Sequence, residues 1–374
     1  MYRCWVEVSR AQIARNFQAV RNVVGPNVEV MPVVKADAYR HGALEVAKVL
    51  AANGAKWMGV SSVSEGAALR HAGIEARILV MADFLPTERD ALLHHHLTPV
   101  LHSLEDIPTL NDLARERGEE CPYHLKIDTG MGRLGTRATA AAIIETVSAS
   151  HHAKLEGIMT HFASAADYIS VQTDEQILQF RTIRDALAKA GITPRYAHLS
   201  STIAVAYNRG EAWGNFVRPG HAIYGYVSPA RGEAPARVLD VKPALSWKTR
   251  VLAVKDMPKG AQIGYGGMYR APRAMRIAIL AAGYADGLPH GLGNKGRVIL
   301  HGRYANILGA VSMDVTTIDV TDEPGVHVGD AVTLLGREGD ASIDAQQMAK
   351  IAGGISYSVL CGISARVERV YIDD

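Results

Sequence analysis

Short apolar runs alternate with helical stripes, and this rhythm constrains the fold of the chain more than any other feature. The strand candidates lie at 28–35, 57–61, 78–82, 98–101, 123–128, 155–161, 196–200 and 216–224. Between them, apolar residues recur at helical spacing over 43–52, 64–71, 88–95, 104–117, 138–150 and 173–190, with a shorter stretch at 203–207. Strands separated by helix-length crossovers pair in parallel, because a tight hairpin cannot return the chain in the same direction. Eight such units in about 200 residues predict an α/β fold, a closed (β/α)8 TIM barrel. An open doubly wound sheet is the weaker alternative, since no G-x-G-x-x-G follows the opening strand.

The rhythm stops at Val227-Ser228-Pro229-Ala230-Arg231-Gly232-Glu233-Ala234-Pro235, which reads as a linker. Beyond it, strand-like runs at 244–254, 275–282, 297–300, 307–310, 316–320 and 331–335 are separated by turns rich in glycine, proline and aspartate. One helix is expected over 342–351, starting after Asp340 and broken at Gly353-Gly354. The chain closes on a strand pattern at 363–372, placed to pair near the alternating strand that opens it. The expected organisation is a barrel over 9–228 and a mostly β C-terminal domain that also recruits residues 1–8, giving 1–8 plus 236–374.

Composition narrows the function. Forty basic and 38 acidic residues leave a formal charge of +2, so no electrostatic footprint for nucleic acid is present. No apolar run approaches the roughly 20 residues needed to cross a bilayer, and the amino terminus lacks a signal-peptide pattern. Cys4, Cys121 and Cys361 are odd in number and unpaired in spacing, so neither a disulfide framework nor a zinc site is expected. These features predict a cytoplasmic enzyme without membrane or nucleic-acid partners. His94-His95-His96 does not predict a metal site, because consecutive helical positions face different ways.

In a barrel of this kind, chemistry sits at the carboxyl ends of the strands. The first strand ends at Lys35, with Tyr39 shortly after. A partly desolvated lysine amine loses its proton more easily and can condense with a carbonyl. The fifth strand presents Lys126, Asp128 and Arg133, and the sixth Thr160 and His161. The seventh presents His198, Ser200, Ser201 and Thr202, and the eighth Arg218-Pro219-Gly220. This set is rich in cations and hydroxyls and poor in the carboxylates that a divalent-metal hydrolase needs, so no metal is expected. It suits a large anionic cofactor. Backbone amides near Ser201-Thr202 and Gly220, with a tyrosine hydroxyl, could hold a phosphate. With a lysine able to bind a carbonyl, pyridoxal 5′-phosphate is the economical choice.

The motifs then resemble one family closely. Val34-Lys35-Ala36-Asp37-Ala38-Tyr39-x-His41-Gly42 is similar to the cofactor-attachment motif of alanine racemases, fold-type III pyridoxal-phosphate enzymes. Leu125-Lys126-Ile127-Asp128-Thr129-Gly130-Met131-Gly132-Arg133, Thr160-His161-Phe162-Ala163, Arg218-Pro219-Gly220, Gly283-Tyr284-Ala285-Asp286-Gly287 and Ser312-Met313-Asp314 follow in the family order. The resemblance implies interconversion of L- and D-alanine, supplying D-alanine for peptidoglycan. It also implies a head-to-tail homodimer in which the partner's β domain completes each active site. Lys35 would carry the cofactor and act as one base, and Tyr265 of the partner subunit as the other. Arg218 would contact the pyridine nitrogen and His161 stack beside the ring. Arg133 would meet the phenolic oxygen or the substrate carboxylate. Tyr39, Ser201, Thr202, Gly220 and Tyr357 would hold the phosphate. Met313, Asp314 and Tyr284 would line the substrate side and its access path. Lys126 resembles a lysine often carbamylated in the family.

Two bases on opposite faces suit racemisation, which removes the Cα proton from one side and returns it on the other. Tyrosines titrate near about 10, so a tyrosine base needs cationic neighbours to work near neutral pH. An arginine against the ring nitrogen does not give up its proton, leaving a weaker electron sink that limits transamination. A decarboxylase would be expected to place a carboxylate there. Some positions depart from the family pattern. Arg40 replaces a common glycine, so this position is not expected to need a glycine-only conformation. Ser200-Ser201-Thr202 replaces Ala-Asn-Ser, Met159 replaces an aromatic, and Gly362 and Glu368 replace an arginine and a proline. These departures keep open a serine-type or broad-specificity racemase. A non-catalytic carrier of the cofactor is opposed by the β domain and by Tyr265.

Overall fold

The computed structural model describes residues 2–82 and 84–374. The chain divides into two compact units. One comprises Ile13–Ala38 and Ala43–Lys242; the other comprises the residues up to Gln12, Tyr39–Gly42 and Pro243–Asp374.

The first strand, β1 (Cys4–Ser9), belongs to the second unit. The first unit is built on β2 (Glu29–Val30), β3 (Trp57–Val60), β4 (Arg77–Val80), β5 (Thr98–Leu101), β6 (Cys121–Lys126), β7 (Ala153–Met159), β8 (Tyr196–His198) and β9 (Phe216–Val217). Neighbours from β3 to β8 pair in parallel, and β9 pairs in parallel with β2. Two junctions close the ring. Val34 N–H donates to Gly59 O at 2.8 Å, and Arg218 N–H donates to Ser200 O at 3.1 Å. The result is the expected eight-stranded parallel barrel, with helices at Ala43–Ala52, Val63–His71, Arg89–His94, Asp106–Arg117, Ala140–Ser148, Gln172–Lys189 and Thr202–Ala206 between strands. The expected eighth strand at 216–224 shrinks to two residues. Pro219 cannot donate to a ladder, and His221–Tyr224 turn into a 3-10 helix.

One layer of the barrel interior is filled by Met31, Trp57, Leu79, Val100, Met159, Tyr196 and Phe216. Each comes from, or directly follows, a different strand. The remaining strand, β6, supplies His124, whose ring lies 5.5 Å from Trp57, 5.8 Å from Tyr196 and 6.2 Å from Phe216.

The second unit contains β10 (Leu245–Met257), β11 (Gln262–Ile263), β12 (Tyr269–Arg270), β13 (Met275–Leu280), β14 (Arg297–Leu300), β15 (Arg303–Leu308), β16 (Thr316–Asp319), β17 (Ala331–Glu338), β18 (Ala341–Ile343) and β19 (Glu368–Ile372). Nine strands form one sheet in the order β18-β17-β14-β15-β16-β13-β10-β1-β19. The long β10 pairs with β1, β13 and also β17, with a register shift between Val251 and Ala253 in its pairing with β13. The opening strand β1 lies antiparallel to β10 and parallel to the closing strand β19.

Two expectations need correction. The helix foreseen at 342–351 runs Ala345–Ala352 and is capped by Asp344 rather than Asp340, with Gln347 completing a capping box. A second helix, Ser356–Gly362, follows it. Gly353 only ends the first helix in a left-handed conformation (φ 78°), after which the chain starts again. Among the described residues, no helix is long and apolar enough to cross a membrane.

Candidate active site

Lys35 stands at the carboxyl end of the first barrel strand, and the chain leaves it in an unusual way. Ala36, Asp37, Ala38, Tyr39 and Arg40 all have φ between 52° and 66°, one turn of left-handed helix. Each non-glycine residue in that conformation costs roughly 1–2 kcal/mol, so the turn needs outside support. Ala36 N–H donates to Glu65 Oε1 at 2.7 Å, and Glu65 Oε2 accepts from Ser61 N–H at 2.7 Å. Ala43 N–H donates to Asp37 Oδ1 at 2.8 Å. Glu65 thus ties the residue after Lys35 to the end of β3. The expectation for Arg40 is corrected: its φ of 66° is the conformation that glycine favours, so the arginine is held there at a cost. Sequence reasoning missed Glu65. Its signal was the capping box Ser62-x-x-Glu65 directly after a strand.

Across the mouth, Arg218 is buried with no carboxylate bonded to it. Its Nη1 donates to His198 O (2.8 Å) and His198 Nδ1 (3.1 Å). Its Nη2 donates to Thr160 O (2.7 Å) and Leu199 O (3.1 Å), and lies 3.3 Å from His161 Nδ1. The fifth donor, Nε–H, has no partner among the described residues. Burial pushes this guanidinium down to about 9, which leaves it charged at neutral pH. Lys126 is also buried. Burial, then Arg218 and Arg133, push its amine down to about 8. Arg133 is exposed and makes no hydrogen bond or ion pair among the described residues. Asp128 balances little of this charge, being engaged by the Gly130 and Gly132 amides and Arg137 Nε. Burial raises its carboxyl, but these three donors outweigh burial and hold it near about 2.

The donor set fits the anionic cofactor expected from sequence. The amides of Ser201, Thr202 and Gly220 have no acceptor among the described residues, and Ser200 Oγ is buried without a partner. The unpaired Nε–H of Arg218 supplies a further donor. Lys35 and Arg133 lie close enough to act electrostatically on both Lys126 and His161.

The second unit carries the other candidates. Tyr39 and Tyr357 have ring centroids 6.0 Å apart. Burial first, then Tyr357 and Cys361, keeps the Tyr39 hydroxyl protonated well above its ordinary range. Tyr265 is 75% exposed, in a turn where Gly264, Gly266 and Gly267 all have positive φ. Met313 and Tyr284 are 53% and 45% exposed. Their loops are laced together: Tyr284 N–H donates to Ser312 O (2.9 Å) and Ala285 N–H to Met313 O (3.0 Å). A Cβ on Gly283 would meet both of those carbonyl oxygens at 2.3 Å. Arg366 bridges Asp286 (2.8 Å) and Asp314 (2.7 Å). The Asp314 carboxylate therefore holds the two loops in place. Sequence reasoning did not single out Arg366 for this role.

Three enclosed imidazoles stay neutral. Burial, then Arg218, pushes His161 down to about 3 and His198 well below its ordinary value. Burial also lowers His124, against the pull of Glu156. Unfolded histidines bind protons near about 6.5, which the native state refuses. Their contribution to stability is therefore full above that value and is lost as the pH falls through it. The denaturant midpoint should fall between about pH 7.5 and pH 5.5, with His198 contributing up to roughly 1.4 kcal/mol per pH unit below about pH 6.5. A midpoint that is flat or rises toward acid would contradict neutral imidazoles.

Comparison with known proteins agrees with this site. A family model described as alanine racemase, N-terminal domain, matches residues 8–229, and one described as alanine racemase, C-terminal domain, matches residues 244–371. The alanine racemase of Halothermothrix orenii is 40% identical over 368 residues, covering 98% of this chain and 96% of that protein. That of Carboxydothermus hydrogenoformans is 39% identical over 368 residues, covering 98% and 99%. The solved alanine racemase of Clostridium difficile 630 superimposes with a TM-score of 0.92 at 31% identity, covering 100% of this chain and 97% of that one. A Bacillus anthracis alanine racemase with bound L-Ala-P gives a TM-score of 0.89 at 32% identity, covering 100% and 96%. Cationic strand ends, unpaired backbone donors and full-length similarity in both units agree, and the chain belongs to the alanine racemase family of pyridoxal-phosphate-dependent enzymes.

Proposed function

We propose that this racemase interconverts L- and D-alanine with Lys35 and the partner subunit's Tyr265 as opposed bases. In this reading it is a cytoplasmic homodimer with shared sites, supplying D-alanine for peptidoglycan. The observation that carries the mechanism is Arg218, which is buried, charged and held by carbonyls and imidazoles rather than by a carboxylate. Pyridoxal 5′-phosphate, when bound, supplies the electron sink that acidifies the substrate Cα–H bond. Arg218 would offer its unpaired Nε–H to the ring nitrogen without surrendering the proton, which keeps that sink weak. Lys35 would hold the cofactor and move a proton on one face of the substrate. The exposure of Tyr265 on its glycine-lined turn supports its service in a neighbouring site.

Neutral His161 would lie beside the ring. Arg133, without an ion-pair partner, would meet the phenolic oxygen or the substrate carboxylate. The amides of Ser201, Thr202 and Gly220 and the hydroxyls of Tyr39 and Tyr357 would bind the phosphate. Met313, Asp314 and Tyr284 of the partner would border the substrate. The Bacillus anthracis relative binds L-Ala-P, which supports a small amino-acid substrate.

Lys126 would be carbamylated. Its depressed amine stands beside Arg133 and Arg218 with Asp128 already engaged, so a carbamate would supply the missing anion to pair with Arg133. Carbon-13 bicarbonate should give a carbamate resonance that Lys126→Met abolishes; a bare amine at saturating bicarbonate would sink the idea.

Purified holoenzyme should form D-alanine from L-alanine in clear preference to turning over L-serine, L-lysine or L-arginine. Turnover mainly of the larger substrates would move the assignment to a broad-specificity racemase. Tyr265→Phe should lower the rate about 100-fold or more, the scale of a lost acid–base group, with proton exchange impaired on one face only. Wild-type rates in both directions would defeat the two-base assignment.

A further inference from the structure

A polar line crosses the barrel interior from Arg218 to Arg77. Arg218 Nη1 lies 3.1 Å from His198 Nδ1, and His198 Nε2 lies 2.8 Å from His124 Nδ1. His124 Nε2 stands 3.6 Å from Glu156 Oε2, an electrostatic contact just beyond hydrogen-bond length. Glu156 takes both Arg77 nitrogens, Nη1 at 2.5 Å and Nη2 at 2.7 Å. The Arg77 guanidinium also sits 4.0 Å over the Trp57 ring. Both histidines are fully buried. Glu156 is held near about 2 because His124 and Arg77 outweigh the burial that would raise it.

Donor and acceptor chemistry leaves this line one direction. Arg218 can only donate, so His198 Nδ1 must accept and its proton sits on Nε2. His198 therefore donates to His124 Nδ1, and the His124 proton sits on its own Nε2, on the side of Glu156. From the other end, a carboxylate only accepts and selects the same His124 tautomer. In the opposite arrangement, His198 would turn an N–H toward an arginine N–H. The backbone also makes room for the ring: a Cβ on Gly157 would meet His124 Nδ1, Cε1 and Cγ at 2.7–2.8 Å. His124 takes the β6 place in an otherwise apolar layer. An apolar side chain would suit packing there, so the imidazole needs another reason.

We infer that His124, supported by Glu156 and Arg77, is a positioning residue: by accepting the His198 Nε2–H it secures the His198 tautomer that Arg218 requires and thereby aims Arg218 at the cofactor. This inference rests on the reading of Arg218 as the group that faces the ring nitrogen. The line needs no proton transfer, because the tautomers are set once by its two charged ends. Without the acceptor at His124 Nδ1, the His198 Nε2–H is a buried donor with no partner, a costly state. His198 then relieves it by moving the proton to Nδ1, which removes the acceptor from Arg218.

Nitrogen-15 NMR of the histidine-labelled holoenzyme at pH 7 tests the inference without any variant. Both His198 and His124 should be neutral with the proton on Nε2. An Nδ1–H tautomer or an imidazolium at either residue overturns the inference. Two variants separate positioning from packing. Asparagine can place its Oδ1 near the position of His124 Nδ1, whereas leucine fills the layer without an acceptor. His124→Leu should switch the His198 tautomer and weaken pyridoxal 5′-phosphate binding about tenfold or more by equilibrium dialysis, and His124→Asn should restore both. If leucine keeps the tautomer and the affinity, or asparagine fares no better than leucine, His124 is a packing residue. If the tautomers are as stated but Arg218→Lys leaves cofactor affinity and spectrum unchanged, the reading of Arg218 fails while the geometry of the line stands.

Discussion

A guanidinium sealed into the mouth of the barrel without a carboxylate beside it is the constraint on which the site depends. Such a charge is tolerated only if nearly every donor finds an acceptor. The chain meets this by ending its sixth and seventh barrel strands so that the carbonyls of Thr160, His198 and Leu199 converge on Arg218. The imidazoles around it are forced to be neutral acceptors. Arg133 and the unmodified amine of Lys126 add positive charge, and Asp128 is spent on its own loop. The mouth is therefore cationic beyond what the chain itself balances, which suits a phosphorylated cofactor and a carboxylate substrate.

The same site also carries backbone strain. Five left-handed residues after Lys35 would not form in an isolated peptide, since Ala, Asp, Tyr and Arg all prefer the right-handed form. They persist because Glu65, Asp37 and the end of the first strand hold the turn in place. In the second unit, Arg366 and the close approach at Gly283 do comparable work for the loops of Tyr284 and Met313. In both units, the exposed functional groups stand on segments whose backbone is fixed by buried or bridging polar side chains.

Much of the architecture was legible in the sequence because it is periodic. All eight barrel strands and the helices between them left apolar stripes, and Lys35, His161 and Arg218 stood out as polar residues at strand ends. Local chemistry hid the rest. The glycine pair at Gly353-Gly354 looked like the end of helical structure, yet a new helix starts two residues later. The left-handed turn has no composition signal, and Arg40 pointed the wrong way. His124 lies inside an apolar strand run, 74 positions before the histidine it bonds, and Glu156 lies within another strand. Their link needs the closed barrel to exist first.

The central claim is that Arg218 keeps the cofactor's ring nitrogen unprotonated, and a spectrum of that atom tests it most directly. With nitrogen-15 in the pyridine ring of the bound cofactor, the holoenzyme at pH 7 should show the resonance of an unprotonated ring nitrogen that accepts a hydrogen bond. A protonated pyridinium resonance would contradict the account, because an arginine held as Arg218 is held has no means of supplying that proton.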